Sequence, residues 1–269
     1  MRWTERQRAM LDAMGVRLWS AGAQDAGVAQ LDEAEERYPT PATAHVALAR
    51  EAPPAALLSD VPRVASDAMF PAPSGPVAQL DWPALREAVA ACTACTLSGT
   101  RRQTVFGVGN LRAHWMIVGE APGEQEDVQG EPFVGKSGQL LDNMLRALGL
   151  TRGEADAARQ VYIANTLKCR PPGNRNPEPG ELERCEPFLV RQIQLVQPRI
   201  ILAMGRFAVQ RLLRTEDPVG RLRGRVHRYQ GVPLIVTYHP AYLLRNPEEK
   251  AKAWDDLCLA RATAAAAAN

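Results

Sequence analysis

The chain has 269 residues, of which 46% are hydrophobic and 23% are charged. These proportions are those of an ordinary globular protein, and the length holds one large α/β domain with an appendage. No apolar run approaches the roughly 18 residues of a membrane-spanning helix, and the amino terminus lacks an apolar export signal. We therefore expect a cytoplasmic protein without membrane association.

The net charge of +2 is distributed unevenly along the chain. Residues 1–80 hold seven arginines and ten acidic residues, whereas residues 81–269 hold 25 basic and 20 acidic residues. Between positions 199 and 228, eight arginines are accompanied by only two acids, Glu216 and Asp217. Such a cluster suits a polyanion, because each neutralised phosphate releases counterions, and a solvated arginine-rich surface is the alternative.

The first 80 residues predict a helical segment and a linker ahead of the main domain. Residues 3–22 carry apolar side chains at helical spacing, so we assign residues 1–37 to an amino-terminal helical segment. Residues 38–80 are rich in alanine and proline, which do not bury enough surface to fold alone, and we interpret them as a disordered linker. Residues 81–262 then form the main domain, and residues 263–269 form a tail.

Strands and helices alternate within the main domain. Apolar runs predict four buried strands, Trp115–Gly119, Val161–Leu167, Ile200–Met204 and Leu234–Tyr238. Helical patterns occur at residues 84–91, 181–197, 206–213 and from 247 onward. A further helix is expected directly after Ser137, with this serine as its amino-terminal cap. This order predicts a three-layer α/β/α sandwich with a central, mainly parallel, four-stranded sheet. Ligands in such sheets bind beyond the carboxyl ends of the strands, which is where the polar motifs of this chain begin.

Four of the five cysteines have the spacing of a metal centre. Two belong to a C-x-x-C pair, a third ends the second predicted strand, and a fourth lies in the following helix: Cys92, Cys95, Cys169 and Cys185. A tetrahedral zinc ion and a [4Fe–4S] cluster both accept four cysteines, so the spacing leaves the two open. Buried apolar cysteines are the alternative, and we assign Cys258 on the last helix to the core.

Four segments of the main domain carry a recognisable set of motifs: GEAPGEQED (119–127), PFVGKSGQLLD (132–142), YIANTLKCRPPGNRNP (162–177) and YHPAYLLR (238–245). In this order, and with the four cysteines, they resemble the iron–sulfur uracil-DNA glycosylases called family four. The resemblance implies a [4Fe–4S] cluster on the four cysteines with a structural role. It also implies a monofunctional, monomeric enzyme that hydrolyses uracil from single- or double-stranded DNA. A sister group has a basic, histidine-containing insertion after the second strand, where this chain has CRPPGNRNPEPGE, so the hydrolytic branch is the more similar one.

The resemblance and the chemistry of base excision together suggest roles for individual residues. Glu120 and His239 are the candidate catalytic groups. Glu120 is expected to stabilise the positive charge that develops on the sugar, and His239 is expected to hydrogen-bond the departing uracil anion. The expected uracil-binding residues are the backbone amides of Ala121 and Gly123, with Glu126 against the 5-methyl position, Phe133 stacking, Asn165 reading the pairing edge, and His239. Expected DNA contacts are Tyr242, Leu243, Leu244 and Arg245. Each residue also has a purely structural alternative, and another acid of the same loop is the alternative to Glu120.

Two other classes of function remain open from the sequence. One is a nucleic-acid-binding module without catalysis, and the other is a zinc-containing domain that mediates protein contacts. A lyase using Lys136 or Lys168 is a variant of the enzyme hypothesis. The amino-terminal helix is a candidate binding site for a replication or repair partner, reached through the linker.

Overall fold

A computed structural model describes residues 75–267 of the chain. The predicted amino-terminal helix, most of the predicted linker and residues 268–269 lie outside this range. No helix in the described range is long and apolar enough to cross a lipid bilayer.

One mixed sheet of six strands organises the described residues. In chain order the strands are β1 (Val108–Gly109), β2 (Trp115–Gly119), β3 (Tyr162–Asn165), β4 (Ile200–Met204), β5 (Val226–Tyr229) and β6 (Val232–Thr237). Their spatial order is β1-β3-β2-β4-β6-β5. The four central strands are parallel, and the two edge strands are antiparallel to their neighbours.

Eight α-helices accompany the sheet within residues 75–267. They are α1 (Trp82–Ala90), α2 (Glu124–Gln129), α3 (Gly135–Ala147), α4 (Pro179–Val196), α5 (Arg206–Leu213), α6 (Val219–Leu222), α7 (Pro240–Arg245) and α8 (Lys250–Ala266). Short 3₁₀ turns occupy Pro76–Gln79, Thr96–Gly99, Pro172–Asn174 and Pro247–Glu249.

The predicted α/β class is confirmed, and the number of strands is corrected from four to six. The four predicted strands are the parallel core, and both missed strands lie at the edges. β5 joins β6 through a two-residue turn in which Gln230 and Gly231 both have positive φ, 48° and 83°. A turn of this kind closes a hairpin, and the short, half-exposed strand before it has no long apolar run to mark it.

Two helix boundaries also differ from the sequence-based expectation. The helix predicted to be capped by Ser137 begins at Gly135, and Val134 occupies the capping position. The chain turns at Phe133, whose φ is 54°, so the helix starts before the serine. The last helix continues to Ala266, past the expected domain end at residue 262, because its alanines favour helix.

Alternating side chains of the strands build a core on each face of the sheet. Ile117, Ile163 and Leu202 pack on one face with apolar residues of α3, α7 and α8. Val118 and Ala203 face the other way, with apolar residues of α4 and α5. This arrangement is the predicted three-layer sandwich. A third apolar cluster surrounds the cysteines between α1 and α4.

The strand order reverses at β2, which has β3 on one side and β4 on the other. The chain passes from β2 to β3 and then crosses to the far side of β2 for β4. Crossovers that diverge in this way open a crevice at the carboxyl ends of the strands. The fold therefore provides a cleft bounded by the loops after β2, β3, β4 and β6.

Candidate active site

The cleft brings together residues that are far apart in the chain. Its lining includes every residue predicted for base binding and catalysis: Glu120, Ala121, Gly123, Glu126, Phe133, Asn165 and His239. Of the four predicted DNA contacts, it includes Tyr242 and Arg245. It also includes residues that were not predicted, among them Asn174, Arg175, Gly205 and Arg206. Acid, amide, aromatic ring and imidazole therefore share one site.

Glu120 lies at the amino terminus of α5. Its Oε1 accepts a hydrogen bond from the backbone N–H of Phe207 at 3.0 Å. Burial raises the pKa of the Glu120 carboxyl group, while the Phe207 and Arg206 backbone N–H groups and the positive side chains of Arg206 and Arg245 act against this rise. Helix-terminal N–H groups favour a negative charge and fix its orientation. Glu120 is thus a positioned carboxyl group whose pKa is above its ordinary value.

Gly205 allows Glu120 and His239 to lie side by side. It follows β4 with a φ of +90°, and a Cβ atom there would lie 2.6 Å from Glu120 Oε1 and 3.0 Å from His239 Cβ. Only glycine both tolerates this conformation and leaves the space. Gly205 is absent from the predicted site, although a glycine directly after a buried strand is the signal that marks it.

Gly119, the last residue of β2, makes room for two further side chains. A Cβ atom on Gly119 would lie 2.4 Å from Phe133 Cζ and 2.4 Å from Asn165 Oδ1. Asn165 ends β3 directly beside Gly119 in the parallel register. The aromatic ring and the amide therefore approach each other over a strand end that has no side chain.

The ring of Phe133 stacks on the imidazole of His239. Their centroids are 5.1 Å apart and their planes differ by 23°. A flat base between them would require two stacking separations of about 3.5 Å each. A ligand ring therefore fits beside this pair and not between its members, so Phe133 and His239 form adjoining walls of the cavity.

The hydrogen bonding of His239 fixes which nitrogen carries its proton. His239 caps α7, and its Nδ1 accepts a hydrogen bond from the backbone N–H of Ala241 at 3.1 Å. The proton of the neutral ring is accordingly assigned to Nε2. Burial, and then the positive charge of Arg245, lower the pKa of His239 to about 4. His239 is therefore an uncharged hydrogen-bond donor at neutral pH.

Asn165 has an unpaired polar atom at the floor of the cleft. Its side chain is 2% exposed, and its Oδ1 has no hydrogen-bond partner within the described range. An unpaired buried amide oxygen costs about 1–3 kcal/mol, and such atoms mark ligand contacts or ordered water. The backbone carbonyl of Asn165, by contrast, accepts from Lys168 Nζ at 2.8 Å.

Glu126 holds two loops of the cleft together. Its Oε2 accepts from the backbone N–H of Gly123 at 3.1 Å, and its Oε1 accepts from that of Val134 at 3.0 Å. The Gly123 N–H, which was predicted to meet a base oxygen, is therefore engaged by Glu126 in this structure. Glu126 is 8% exposed, and its hydrogen bond to Val134 fixes the backbone of the cleft wall directly after Phe133.

Helix α7 forms one rim of the cleft and corrects one predicted DNA contact. Leu244 is 42% exposed and Arg245 is exposed, whereas Leu243 is 0% exposed and belongs to the core. Leu243 is therefore buried and does not form the predicted DNA contact. The spacing of the helix turns the side chain of this residue toward the core, while the side chains of Leu244 and Arg245 face outward. Tyr242 stacks on Tyr238, with centroids 5.0 Å apart.

The four predicted metal-binding cysteines line a second cavity, on the other side of the loop that follows β3. Cys92, Cys95, Cys169 and Cys185 share it, and none forms a disulfide. Cys258 is partly buried on α8 and is not among the lining residues. Within residues 75–267 no group of three or more cysteine, histidine or acidic side chains is close enough to hold a single metal ion.

Hydrogen-bond donors point at the sulfurs of this cavity. Arg101 Nη1 donates to Cys169 Sγ at 3.2 Å, and the backbone N–H of Lys168 donates to Cys185 Sγ at 3.3 Å. Burial raises the pKa of both thiols, that of Cys185 to about 12, and Arg101 and Lys168 oppose the rise. Burial lowers the pKa of Lys168 to about 8. Donors and cations around buried thiols fit thiolate ligands of a metal centre.

Several arginines of the basic cluster have acidic partners from elsewhere in the chain. Arg211 and Arg214 both pair with Glu186 on α4. Arg223 pairs with Asp256 on α8 at 3.0 Å. The cluster is therefore less unbalanced than the sequence of residues 199–228 indicates, and Arg206 is the member that lines the cleft.

The fold and the cleft together define an α/β protein with a candidate site at the carboxyl ends of parallel strands, and comparison with known proteins identifies its family. Residues 106–258 match the family model described as the uracil DNA glycosylase superfamily.

The chain is also similar to several curated relatives. It is 43% identical to a type-4 uracil-DNA glycosylase of Archaeoglobus fulgidus over 168 residues, which are 60% of this chain and 81% of the relative. It is 40% identical to a type-4 uracil-DNA glycosylase of Pyrobaculum aerophilum over 190 residues, which are 67% of this chain and 93% of the relative. It is 43% identical to a type-4 uracil-DNA glycosylase of Thermotoga maritima over 162 residues, which are 60% of this chain and 81% of the relative. The chain therefore belongs to the type-4 branch of the uracil DNA glycosylase superfamily.

Proposed function

We propose that this protein is a monofunctional uracil-DNA glycosylase of base-excision repair, which flips uracil out of DNA and hydrolyses its N-glycosidic bond. The observation that carries the proposal is the convergence of Glu120, Phe133, Asn165 and His239 on one cleft, with the buried Asn165 Oδ1 unpaired. The type-4 names of the relatives support the same substrate. The proposed location of the enzyme is the cytoplasm.

The amide of Asn165 reads the pairing edge of the base. Its Oδ1 accepts from N3–H of uracil, and its Nδ2 donates to O4. Cytosine has an acceptor at N3 and a donor at position 4, so the same amide orientation rejects it. Phe133 supplies the stacking surface, and the absence of a side chain at Gly119 leaves room for both its ring and the Asn165 amide.

His239 stabilises the uracil anion as it departs. When the C1′–N1 bond breaks, its electron pair stays on the base and is delocalised onto O2 and O4. The Nε2–H of a neutral His239 donates to O2, while Nδ1 is held by the Ala241 N–H. A neutral donor suits this step because it stabilises the charge without having to transfer a proton.

Glu120 acts on the sugar side of the bond. An ionised carboxylate near C1′ stabilises the positive charge that develops there and orients a water molecule. The water oxygen bonds to C1′, and the released proton passes to the carboxylate. The Phe207 N–H holds Glu120 Oε1, so the carboxylate does not need to reorganise during the reaction.

The four cysteines that line the second cavity are proposed to hold a [4Fe–4S] cluster. The sulfur-directed N–H groups of Arg101 and Lys168 and the buried thiols of Cys169 and Cys185 fit thiolate ligands. When bound, the cluster supplies covalent ties between the segment after α1, the loop after β3 and helix α4. That loop begins at Asn165, so its anchorage bears on the base pocket.

Helix α7 is proposed to contact the DNA around the flipped nucleotide. Leu244 and Arg245 are exposed at the rim of the cleft, where an apolar side chain can enter the vacated base stack and an arginine can meet a phosphate. Tyr242 stacks on Tyr238, and both residues line the cleft beside the helix. The substrate is single- or double-stranded DNA that contains uracil, bound by a monomer.

An oligonucleotide assay tests the proposed function. The purified protein is incubated with a labelled strand that contains one uracil, and the products are separated with and without alkali. We expect free uracil and a strand that breaks only after alkali. Breakage without alkali indicates a lyase using Lys136 or Lys168, and salt-sensitive DNA binding without base release indicates a non-catalytic binding module. Either result refutes the proposal.

A further inference from the structure

Lys168 is a fully buried cation that connects the two cavities. It is 1% exposed and lies between Asn165 of the cleft and Cys169 of the cysteine cavity along the chain. Its Nζ donates to the backbone carbonyl of Asn165 at 2.8 Å and to Gln192 Oε1 at 2.6 Å. Its backbone N–H donates to Cys185 Sγ at 3.3 Å. One residue therefore touches both the end of β3 and the cysteine centre.

The surroundings of Lys168 contain no acid to balance its charge. Both acceptors of the ammonium group are neutral, and among residues 75–267 no carboxylate forms an ion pair with it. A buried charge without a counter-ion is strongly unfavourable. The sulfurs of Cys169 and Cys185 line the same cavity as Lys168 and are able to carry the balancing negative charge.

The partners of Lys168 are themselves fixed, so its position is well defined. Gln192 is 0% exposed, and its Nε2 donates to the carbonyl of Phe106 at 2.9 Å and to the Tyr162 hydroxyl at 3.1 Å. These bonds orient Gln192 Oε1 toward the ammonium group. The buried chain of hydrogen bonds runs from Tyr162 through Gln192 and Lys168 to the backbone carbonyl of Asn165, and buried hydrogen bonds of this kind restrict the positions of their members.

We propose that Lys168 is a positioning residue that couples the cysteine centre to base recognition: the thiolate charge of the loaded centre is the counter-ion of its ammonium group, and that group holds the Asn165 end of β3 in the orientation that reads the base. The inference rests on the proposed function and extends it. Loss of the centre removes the counter-ion and weakens uracil binding in the other cavity, while contacts of DNA with the rim are unaffected.

Variants of the full-length, iron-loaded enzyme test the coupling. Lys168→Met keeps an unbranched side chain, one atom shorter than lysine, and removes the charge and both hydrogen bonds of the ammonium group. We expect the inhibition constant for free uracil to rise by about ten- to a hundredfold, the range for loss of a charge-assisted hydrogen bond. We also expect the reduction potential of the centre to become more negative, because a nearby positive charge stabilises the reduced form. Affinity for uracil-free DNA should stay unchanged, and Lys252→Met, at an exposed lysine of α8, should match the wild type throughout.

The outcomes separate this inference from the function on which it rests. A wild-type protein without iron or without uracil release refutes the proposed function. A wild-type enzyme with both, beside an iron-containing Lys168→Met variant whose potential and uracil inhibition constant equal those of the wild type, refutes only the coupling. If Lys168→Met loses iron or fails to fold, Lys168→Arg and Lys168→Gln replace it. Restoration of iron and uracil binding by arginine but not by glutamine supports the need for charge, and equal restoration by glutamine overturns it.

Discussion

His239 and Glu120 both lie against Gly205, yet burial has opposite effects on the pKa values of their side chains. Burial disfavours the charged form of each group, so it lowers the pKa of the imidazole and raises that of the carboxyl group. A lowered pKa leaves His239 in its useful neutral form over a wide range. A raised pKa moves the protonation of Glu120 to a higher pH than is usual for a carboxyl group.

The pH dependence of base release should therefore show one acid limb that belongs to Glu120. With a pKa of about 4, His239 stays neutral down to low pH, so it should contribute no inflection near the ordinary histidine value of about 6.5. Single-turnover rates between about pH 5 and pH 8 measure this profile, and Glu120→Gln should remove the acid limb. His239→Gln should lower the rate about 10²–10³-fold at every pH with little change in DNA affinity. An inflection near pH 6.5 that disappears in His239→Gln would falsify the neutral role.

Helix α8 shows how an element far from the cleft supports it. Asp256 on α8 is 0% exposed and accepts from Arg223 Nε at 3.0 Å and from the Gly224 N–H at 3.1 Å. The guanidinium of Arg223 also lies 5.9 Å from the ring centroid of Tyr238, the residue before His239. α8 thus fastens the segment before β5 to the sheet beside the loop that carries His239.

Asp256→Ala should destabilise the fold and act only indirectly on catalysis. It leaves Arg223 without its buried partner, and we expect a loss of about 3 kcal/mol in the free energy of unfolding. Asp217→Ala breaks the exposed pair with Arg221, whose atoms are 3.7 Å apart, and should cost at most about 0.5 kcal/mol. Urea denaturation of both variants compares the two. Equal midpoints would contradict the anchoring role of Asp256.

At the scale of the whole molecule, the proposed cysteine centre ties separate parts of the chain together at one end. Its proposed ligands lie in the segment after α1, in the loop after β3 and in α4. The apolar cluster around them is the smallest of the three cores and contains two of the cysteines. This end of the molecule has the least apolar burial to stabilise it without the centre.

Cys169→Ser should therefore release iron and lower the melting temperature. Cys258→Ser is the matched control, because this cysteine lies on α8 and outside the cavity. Iron analysis, the visible absorbance spectrum and thermal denaturation give the comparison. A Cys169→Ser protein with full iron content and unchanged melting temperature would exclude Cys169 as a ligand.

Much of this protein follows from local sequence alone. Long apolar runs mark the four central strands, because a strand covered on both faces needs apolar residues throughout. The motifs after those strands locate the cleft, because parallel strands end at a common edge. Family membership was also available from four ordered segments and the cysteine spacing, and the comparisons confirm it.

Tertiary structure decided what local pattern does not encode. The edge strand β5 depends on pairing with β6, and the inward orientation of Leu243 depends on where α7 meets the core. Gly119 and Gly205 acquire their roles only from side chains that approach from other loops. The same holds for Lys168, whose acceptor Gln192 is 24 positions away. Local sequence determined the central strands, because continuous apolar runs mark strands covered on both faces, whereas contacts between distant segments determined edge pairing, side-chain orientation, protonation and access.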